Sequence, residues 1–335
     1  MIVPILLFIA GLFFLIKGGD WFVDGASSIA EKFKMPQLLI GATVVSIGTT
    51  LPEVMVSASS ALTGHGEIAY GNAIGSIICN TALIAAITVA FAPSLVNRKT
   101  LITPVFFFFM SAAFYAVIAY TSGKFSRVTG AILLTIFVIY MILTIKQAFK
   151  DESEITIEED DSDKADEDNK KPTLRDKYRE NIWFEVALLV IGAILIAVGA
   201  DLLVENGTII AKYLGVPESV IAVTIVALGT SLPELVTAVT SLIKKCGALS
   251  LGNVIGANLF NLVLVSGVSC TLSPFKVPNT KLIGTVPSSL VIEIPLMIFV
   301  MAFLTIPTLI KGELKRYQGV ILLIIYVGFI VTQFA

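Results

Sequence analysis

Apolar residues run along this chain in long blocks separated by short polar punctuation. Ten blocks stand out, at about 2–24, 37–62, 68–92, 101–121, 127–149, 182–211, 219–243, 248–272, 283–305 and 317–334. Each can form a helix of about 20 residues, the length that crosses the hydrocarbon core of a bilayer. The pattern predicts an all-α polytopic membrane protein with ten transmembrane helices. Composition agrees, with 56% of the 335 residues hydrophobic and only 14% charged, and a mean hydropathy of +0.90 that soluble domains of this size do not reach. The opening stretch "MIVPILLFIAGLFFLIKGGDW" lacks a basic flank and a clear small-residue cleavage site. It reads as a retained first span and not as a signal peptide.

One polar interval is long. Between the fifth and sixth blocks, 11 of residues 151–168 are acidic, which reads as a solvated, disordered linker. No segment there has the glycine-centred spacing of an EF-hand loop. The linker at 150–181 separates a first unit, 1–149, from a second, 182–335.

The two units are copies of each other. Asp20 pairs with Asp201, Pro36 with Pro217, Glu53 with Glu234, Gly71 with Gly252 and Asn80 with Asn261, always at an offset of 181. Over 41–62 against 222–243, eight of 22 positions are identical, and "GNAIGSIICN" matches "GNVIGANLFN" at five of ten. Two homologous units of five spans each follow. Because five is odd, the units must be inverted in the membrane relative to one another. Basic residues give the sidedness: with both termini outside, 17 of the 23 Lys and Arg residues fall on the cytoplasmic side and five outside. Lysine and arginine favour the cytoplasmic side. Inverted repeats of this kind place a transporter's binding site near mid-membrane, at interrupted helices on the repeat interface.

The two copies of one motif interrupt their blocks at mid-span. "GTTLPE" at 48–53 and "GTSLPE" at 229–234 put a glycine, a proline and a carboxylate where a charge costs about 2.5–3.5 kcal/mol on insertion scales. Proline also removes a backbone donor that lipid cannot replace. Gly48 and Pro52 predict a break in the second helix, and Gly229 and Pro233 one in the seventh. Thr50-Leu-Pro-Glu53 and Ser231-Leu-Pro-Glu234 have the form of capping boxes. A cap, however, needs no charge, and two facing carboxylates would repel unless a cation lay between them or one were protonated. An ion site is the stronger reading.

The third and eighth blocks add oxygens. Asn72, Ser76 and Asn80 recur every four residues and share a helix face, as do Asn253, Ala257 and Asn261. Asn80 and Asn261 lie level with the glutamates and read as ligands, while Asn72 and Asn253 fit helix packing equally well. Gly71 with Gly75, and Gly252 with Gly256, form G-x-x-x-G pairs that permit close approach. Carboxylate, hydroxyl, amide and carbonyl oxygens suit hard cations such as Ca2+ and Na+. The single histidine, His65, lies in a short loop, and Cys79, Cys246 and Cys270 have neither disulfide nor metal spacing.

These residues resemble a known family. "GATVVSIGTTLPE" with "GNAIGSIICN", and "AVTIVALGTSLPE" with "GNVIGANLFN", look like the two α-repeats, here at about 37–92 and 219–272, of the sodium/calcium exchangers, prokaryotic type, in the calcium/cation antiporter superfamily. The resemblance covers nearly the whole chain. It implies that Glu53 and Glu234 are the central ligands for Ca2+ and Na+. Thr49, Thr50, Thr230 and Ser231 would give hydroxyl or carbonyl oxygens, Ser46 and Ala227 carbonyls before the breaks, and Ser76, Asn80 and Asn261 would complete the cluster. The first and sixth helices would form the sliding pair that alternates access.

Two positions depart from that pattern. Ala257 stands where prokaryotic relatives often have serine, which puts one outer Na+ site in doubt, and Asn261 where some carry aspartate. Asp20, Asp24, Asp201 and Glu205, near the ends of the first and sixth spans, read as interfacial, and Glu293 in the ninth has no assigned role. The expected activity is Na+/Ca2+ antiport in the cell membrane, electrogenic, independent of K+ and carried out by a monomer. Ca2+ and Na+ are substrates in a lipid bilayer, with no cofactor and no nucleic acid involved. Ca2+/H+ exchange is the close alternative, and a channel or organic-solute facilitator a more distant one. No nucleophile–base pair or cofactor motif suggests an enzyme.

Overall fold

The computed structural model describes residues 1–93, 95–151, 181–215, 229–279 and 282–334. The acidic stretch from 152 to 180, Pro217 and Ala227 lie outside the described residues. Almost everything described is helical. The spans are α1 (Ile2–Lys32), α2 (Gln37–Leu62), α3 (Gly66–Phe91), α4 (Arg98–Thr121), α5 (Arg127–Asp151), α6 (Ile182–Tyr213), α7 (Leu232–Ile243), α8 (Gly247–Leu272), α9 (Ser289–Lys311) and α10 (Arg316–Phe334). Eight are long and apolar enough to cross a membrane, while the described part of α7 and α10 are shorter.

Most of the expected limits hold within a few residues. The ninth span begins about six residues later than its apolar run suggests. Leu282–Ile283 and Val286–Pro287 pair as a small hairpin, turning at Gly284 with φ 65°, so these apolar residues belong to a loop. The helix then continues to Lys311 and stops at Gly312, whose φ of 73° is left-handed, a conformation glycine adopts without steric cost.

Strand fragments show which loops share a membrane face. Lys124–Phe125, after α4, pairs with Phe275–Lys276, after α8. On the other face Leu95, before α4, bridges Glu313, after α9. This grouping matches the one used to count basic residues.

Two clusters make up the interior. The larger joins α2–α5 with α7–α10 through residues such as Tyr70, Phe108, Tyr115, Phe260 and Met301. The smaller belongs to α1 and α6, with Leu15, Phe22, Val23, Ala26, Ile196 and Ala200, and touches α2 at Ile40 and Val45. A Cβ on Gly11 would meet Gly199, one on Gly18 would meet Gly192, and one on Gly25 would meet Glu185. Thus α1 and α6, equivalent by the offset of 181, run antiparallel, as inversion of the two units requires. Small residues on both sides bring the backbones close, the usual basis of helix association where lipid supplies no hydrophobic drive. Outward residues such as Ile2, Phe13, Ile16 and Ile194 are more than half exposed, as a lipid-facing surface demands.

Candidate ion site

The site forms where α2 crosses α8. A Cβ on Gly252 would overlap the backbone of Leu38, and one on Gly256 would overlap Ala42 and the Ser46 hydroxyl. Gly252 and Gly256 thus play the predicted close-approach role. Gly71 and Gly75 meet no described atom within 4 Å; positions 219 and 223, which the offset sets against them, lie outside the described residues.

The backbone irregularities differ from those expected. No chain break interrupts α2 at Gly48. The helix passes from a π-helical turn, Gly41–Val45, into Ser46–Leu62 with Pro52 inside it. Proline at 52 cannot donate to the Gly48 carbonyl, and Phe22 of α1 packs against Gly48, so the irregularity is absorbed within a continuous helix. In the other unit Thr230 and Ser231 form a turn, and α7 starts at Leu232. Further π-helical turns open at Asn80 (Asn80–Ala85) and at Asn261 (Asn261–Val265), equivalent by the same offset. Such turns leave backbone groups out of the regular ladder and concentrate at functional sites.

The capping-box reading is not realised. Ser231 stands at the N-cap of α7 without a side-chain hydrogen bond, and Thr50 lies inside α2. Instead the motif side chains are buried and unpaired. Glu53, Glu234, Thr50, Asn80 and Asn261 have 0% exposure and Ser231 has 2%. Their eight side-chain oxygens, Oε1 and Oε2 of both glutamates, Oγ1 of Thr50, Oγ of Ser231 and Oδ1 of both asparagines, have no hydrogen-bond partner. The carboxylates are near enough to interact electrostatically. Leaving a buried polar group unmade costs about 1–3 kcal/mol, and more for a charged one. Eight such oxygens drawn from both units are therefore a donor set awaiting a positive charge. The described residues contain no cluster of three His, Cys, Asp or Glu side chains, so amides and hydroxyls supplement two carboxylates.

The remaining candidates divide. Thr49 is buried beside Glu234, and its Oγ1 donates to Asn253 Oδ1 at 3.1 Å. The Ser46 hydroxyl donates to the carbonyls of Gly41 at 2.7 Å and Asn253 at 3.0 Å, which ties α2 to α8. Ser76 is buried on α3, and Thr230 lines a groove with Gly229, Leu51 and Pro52. Asn72 and Asn253 act as packing residues: Asn72 Nδ2 donates to the Glu53 carbonyl at 3.2 Å and to Ser57 Oγ at 2.8 Å. Glu293 accepts from Ser288 Oγ at 3.3 Å, which is a local pairing. Sequence reasoning missed Cys79, which lies within electrostatic reach of both glutamates; its place beside Asn80 was the available signal. It also read Asp20 and Asp24 as merely interfacial, whereas Lys244 Nζ meets Asp24 Oδ1 at 2.8 Å and Asp20 Oδ1 at 3.4 Å.

Known proteins share this arrangement. The family described as "Sodium/calcium exchanger protein" matches residues 3–146 and 184–335. The sodium/calcium exchanger MaX1 of Methanosarcina acetivorans is 31% identical over 354 aligned positions, covering 99% of both chains. An uncharacterized membrane protein of Methanocaldococcus jannaschii is 32% identical, covering 96% of this chain and 94% of its own. The fold is similar to that of the sodium-calcium exchanger NCX_Mj soaked with Na+ and Sr2+, with a TM-score of 0.78, 30% identity and 98% of each chain covered. Matched through both units, and with orphaned oxygens from both converging on its centre, this chain belongs to the sodium/calcium exchanger family of multi-pass membrane cation exchangers.

Proposed function

We propose that this chain is a Na+/Ca2+ antiporter, in which Na+ entry drives Ca2+ extrusion through one shared, alternately exposed site. The observation that carries this reading is the set of eight partnerless buried oxygens centred on Glu53 and Glu234. Two carboxylates neutralise one Ca2+, and amide and hydroxyl oxygens complete a hard coordination shell. In this reading Glu53 and Glu234 are the charged ligands. Thr50, Ser231, Asn80 and Asn261 give neutral oxygens, Thr49, Thr230 and Ser76 lie around them, and Ser46 and Ala227 contribute carbonyls.

The units run from 1 to 149 and from 182 to 335, joined by a cytoplasmic acidic linker at 150–181, with both termini outside and a monomer as the working unit. With only two charged ligands the centre has no spare charge for K+ beside Ca2+. If about three Na+ replace one Ca2+, the loaded states differ by one charge and exchange responds to membrane potential.

The test is Ca2+ uptake into Na+-loaded proteoliposomes at clamped potential, with and without K+, repeated with a pH gradient alone. Uptake driven by the Na+ gradient, unaffected by K+ and faster at a favourable potential, is expected. Uptake driven equally well by the pH gradient would make protons the counter-ion, and an absolute K+ requirement would contradict the two-carboxylate centre.

A further inference from the structure

Partnerless polar atoms do not stop at the site. Along α7, Thr237 and Ser241 follow Glu234 at i+3 and i+7, on the same helix face, with 0% exposure each. Neither hydroxyl has a hydrogen-bond partner. The α7–α8 turn, closed by Cys246 N donating to the Ser241 carbonyl at 2.7 Å, brings α8 back along α7. On α8, Ser250 Oγ and Asn253 Nδ2 are likewise buried and unpaired. These atoms run from Glu234 to the membrane face that holds Lys244 and Lys245.

Ordinary packing does not account for the row. Elsewhere in the bundle a buried hydroxyl is generally satisfied by the carbonyl one turn earlier. Thr43 bonds Leu39, Thr81 bonds Ile77, Ser269 bonds Val265, and Thr305 and Thr308 bond Met301 and Leu304. Thr237 and Ser241 could do the same and do not. In the first unit the equivalents of Thr237 and Ser250 are the apolar Val56 and Ala69, and the amide of Asn72 is satisfied by Ser57. Position 238, equivalent to Ser57, is alanine, so Asn253 has no hydroxyl to bond.

The row is covered by α1. A Cβ on Gly19 would meet Val236 and Thr240, the neighbours of Thr237 on α7, and Lys244 ties the same segment to Asp20 and Asp24. Because α1 packs mainly with α6 in a cluster of its own, it can shift without unpacking the larger core.

We propose that Thr237, Ser241, Ser250 and Asn253 line the passage between the central site and the Lys244–Lys245 face, and that α1 shuts this passage in the conformation described. Their hydroxyl and amide groups replace part of the hydration shell that a hard cation sheds on the way, and they are wetted when α1 moves. The proposal rests on the exchange reading above and extends it to the path the ion takes.

The experiment uses Thr237→Cys and Ser241→Cys in the full chain carrying Cys246→Ser, with Thr308→Cys as an equally buried control whose hydroxyl is paired. An impermeant cationic methanethiosulfonate is applied to either face of oriented vesicles. Both variants are expected to react from the Lys244 face at least about tenfold faster than the control, equivalent to ~1.4 kcal/mol of easier access, and reaction should block flux. Rates equal to the control, or reaction from the opposite face alone, overturn the proposal. Should a cysteine variant fail to fold, Thr237→Val and Thr237→Ser replace it. Valine should slow ion release to that face about tenfold, a loss of ~1.4 kcal/mol, while serine retains wild-type release; equal rates for the two overturn the proposal. Wild-type Na+-driven Ca2+ flux in the same vesicles is read separately, so its absence removes the exchange reading without altering the accessibility result.

Discussion

Thr50-Leu-Pro-Glu53 and Ser231-Leu-Pro-Glu234 differ at one residue in four, yet they sit on different backbones. The first lies inside a helix that runs unbroken from Ser46 to Leu62. The second spans a turn, with its helix starting at Leu232. Both nevertheless deliver a glutamate with 0% exposure and two unpaired oxygens. The contact at each motif's glycine also differs: Gly48 meets Phe22 of α1, whereas Gly229 meets Val204 of α6. The duplication thus preserves which atoms reach the centre, while the neighbours decide how the chain gets them there. An exchanger needs this division, because its centre must hold the same ion while its two sides open in turn.

The largest effect should come from the charged pair. Glu53→Gln and Glu234→Gln should each reduce Ca2+ flux by about 100-fold or more, since an amide keeps the shape but withdraws a charge the divalent ion needs. Folding should be retained, because the change removes a buried charge. Flux and size-exclusion profiles measured on both variants compare the copies directly, and near-normal flux in one would show that the site is not shared.

Next in size is the crossing of α2 over α8. Gly256→Ala should destabilise the fold by about 1–3 kcal/mol, the usual cost of an extra methyl in a full interior, since the new methyl overlaps Ala42 and Ser46. Thermal melting in detergent reads the change, and an unshifted melting temperature would mean the helices part easily.

A smaller effect separates the two membrane faces. Lys244 pairs with Asp20 and Asp24, but its equivalent is Thr63, opposite Asp201 and Glu205. Lys244→Met should speed alkylation of the native Cys246, which rests against Ser27 at 3.5 Å. A several-fold increase is expected, because partly exposed ion pairs contribute up to about 1 kcal/mol. Thr63→Lys should add the missing pairing on the other face and slow opening there. If Lys244→Met leaves the alkylation rate unchanged, the ion pair does not hold this face shut.

The smallest effect comes from restoring a lost equivalence. Ala238→Ser supplies the hydroxyl that Ser57 offers Asn72 in the first unit, and should stabilise the fold by about 1 kcal/mol or less. A fall in melting temperature would show that the pocket around residue 238 has no room for the oxygen.

Much of this arrangement was legible in the chain. A bilayer offers no partners to exposed backbone groups, so apolar runs must become helices, and the offset of 181 between Glu53 and Glu234 and between Asn80 and Asn261 marked the oxygens that later proved buried and unpaired. These are local or periodic properties, and they survive any detail of packing. Tertiary structure alone decided that Pro52 is carried inside a continuous α2, that π-helical turns open at Asn80 and Asn261, and that Asn253 bonds Thr49 while Asn72 bonds Ser57. It also set Lys244 against α1 and left Thr237 and Ser241 without partners. Each of these depends on which helices cross and at what height, and crossing is set by contacts between residues far apart in the chain, such as Gly252 on Leu38, which no local pattern encodes.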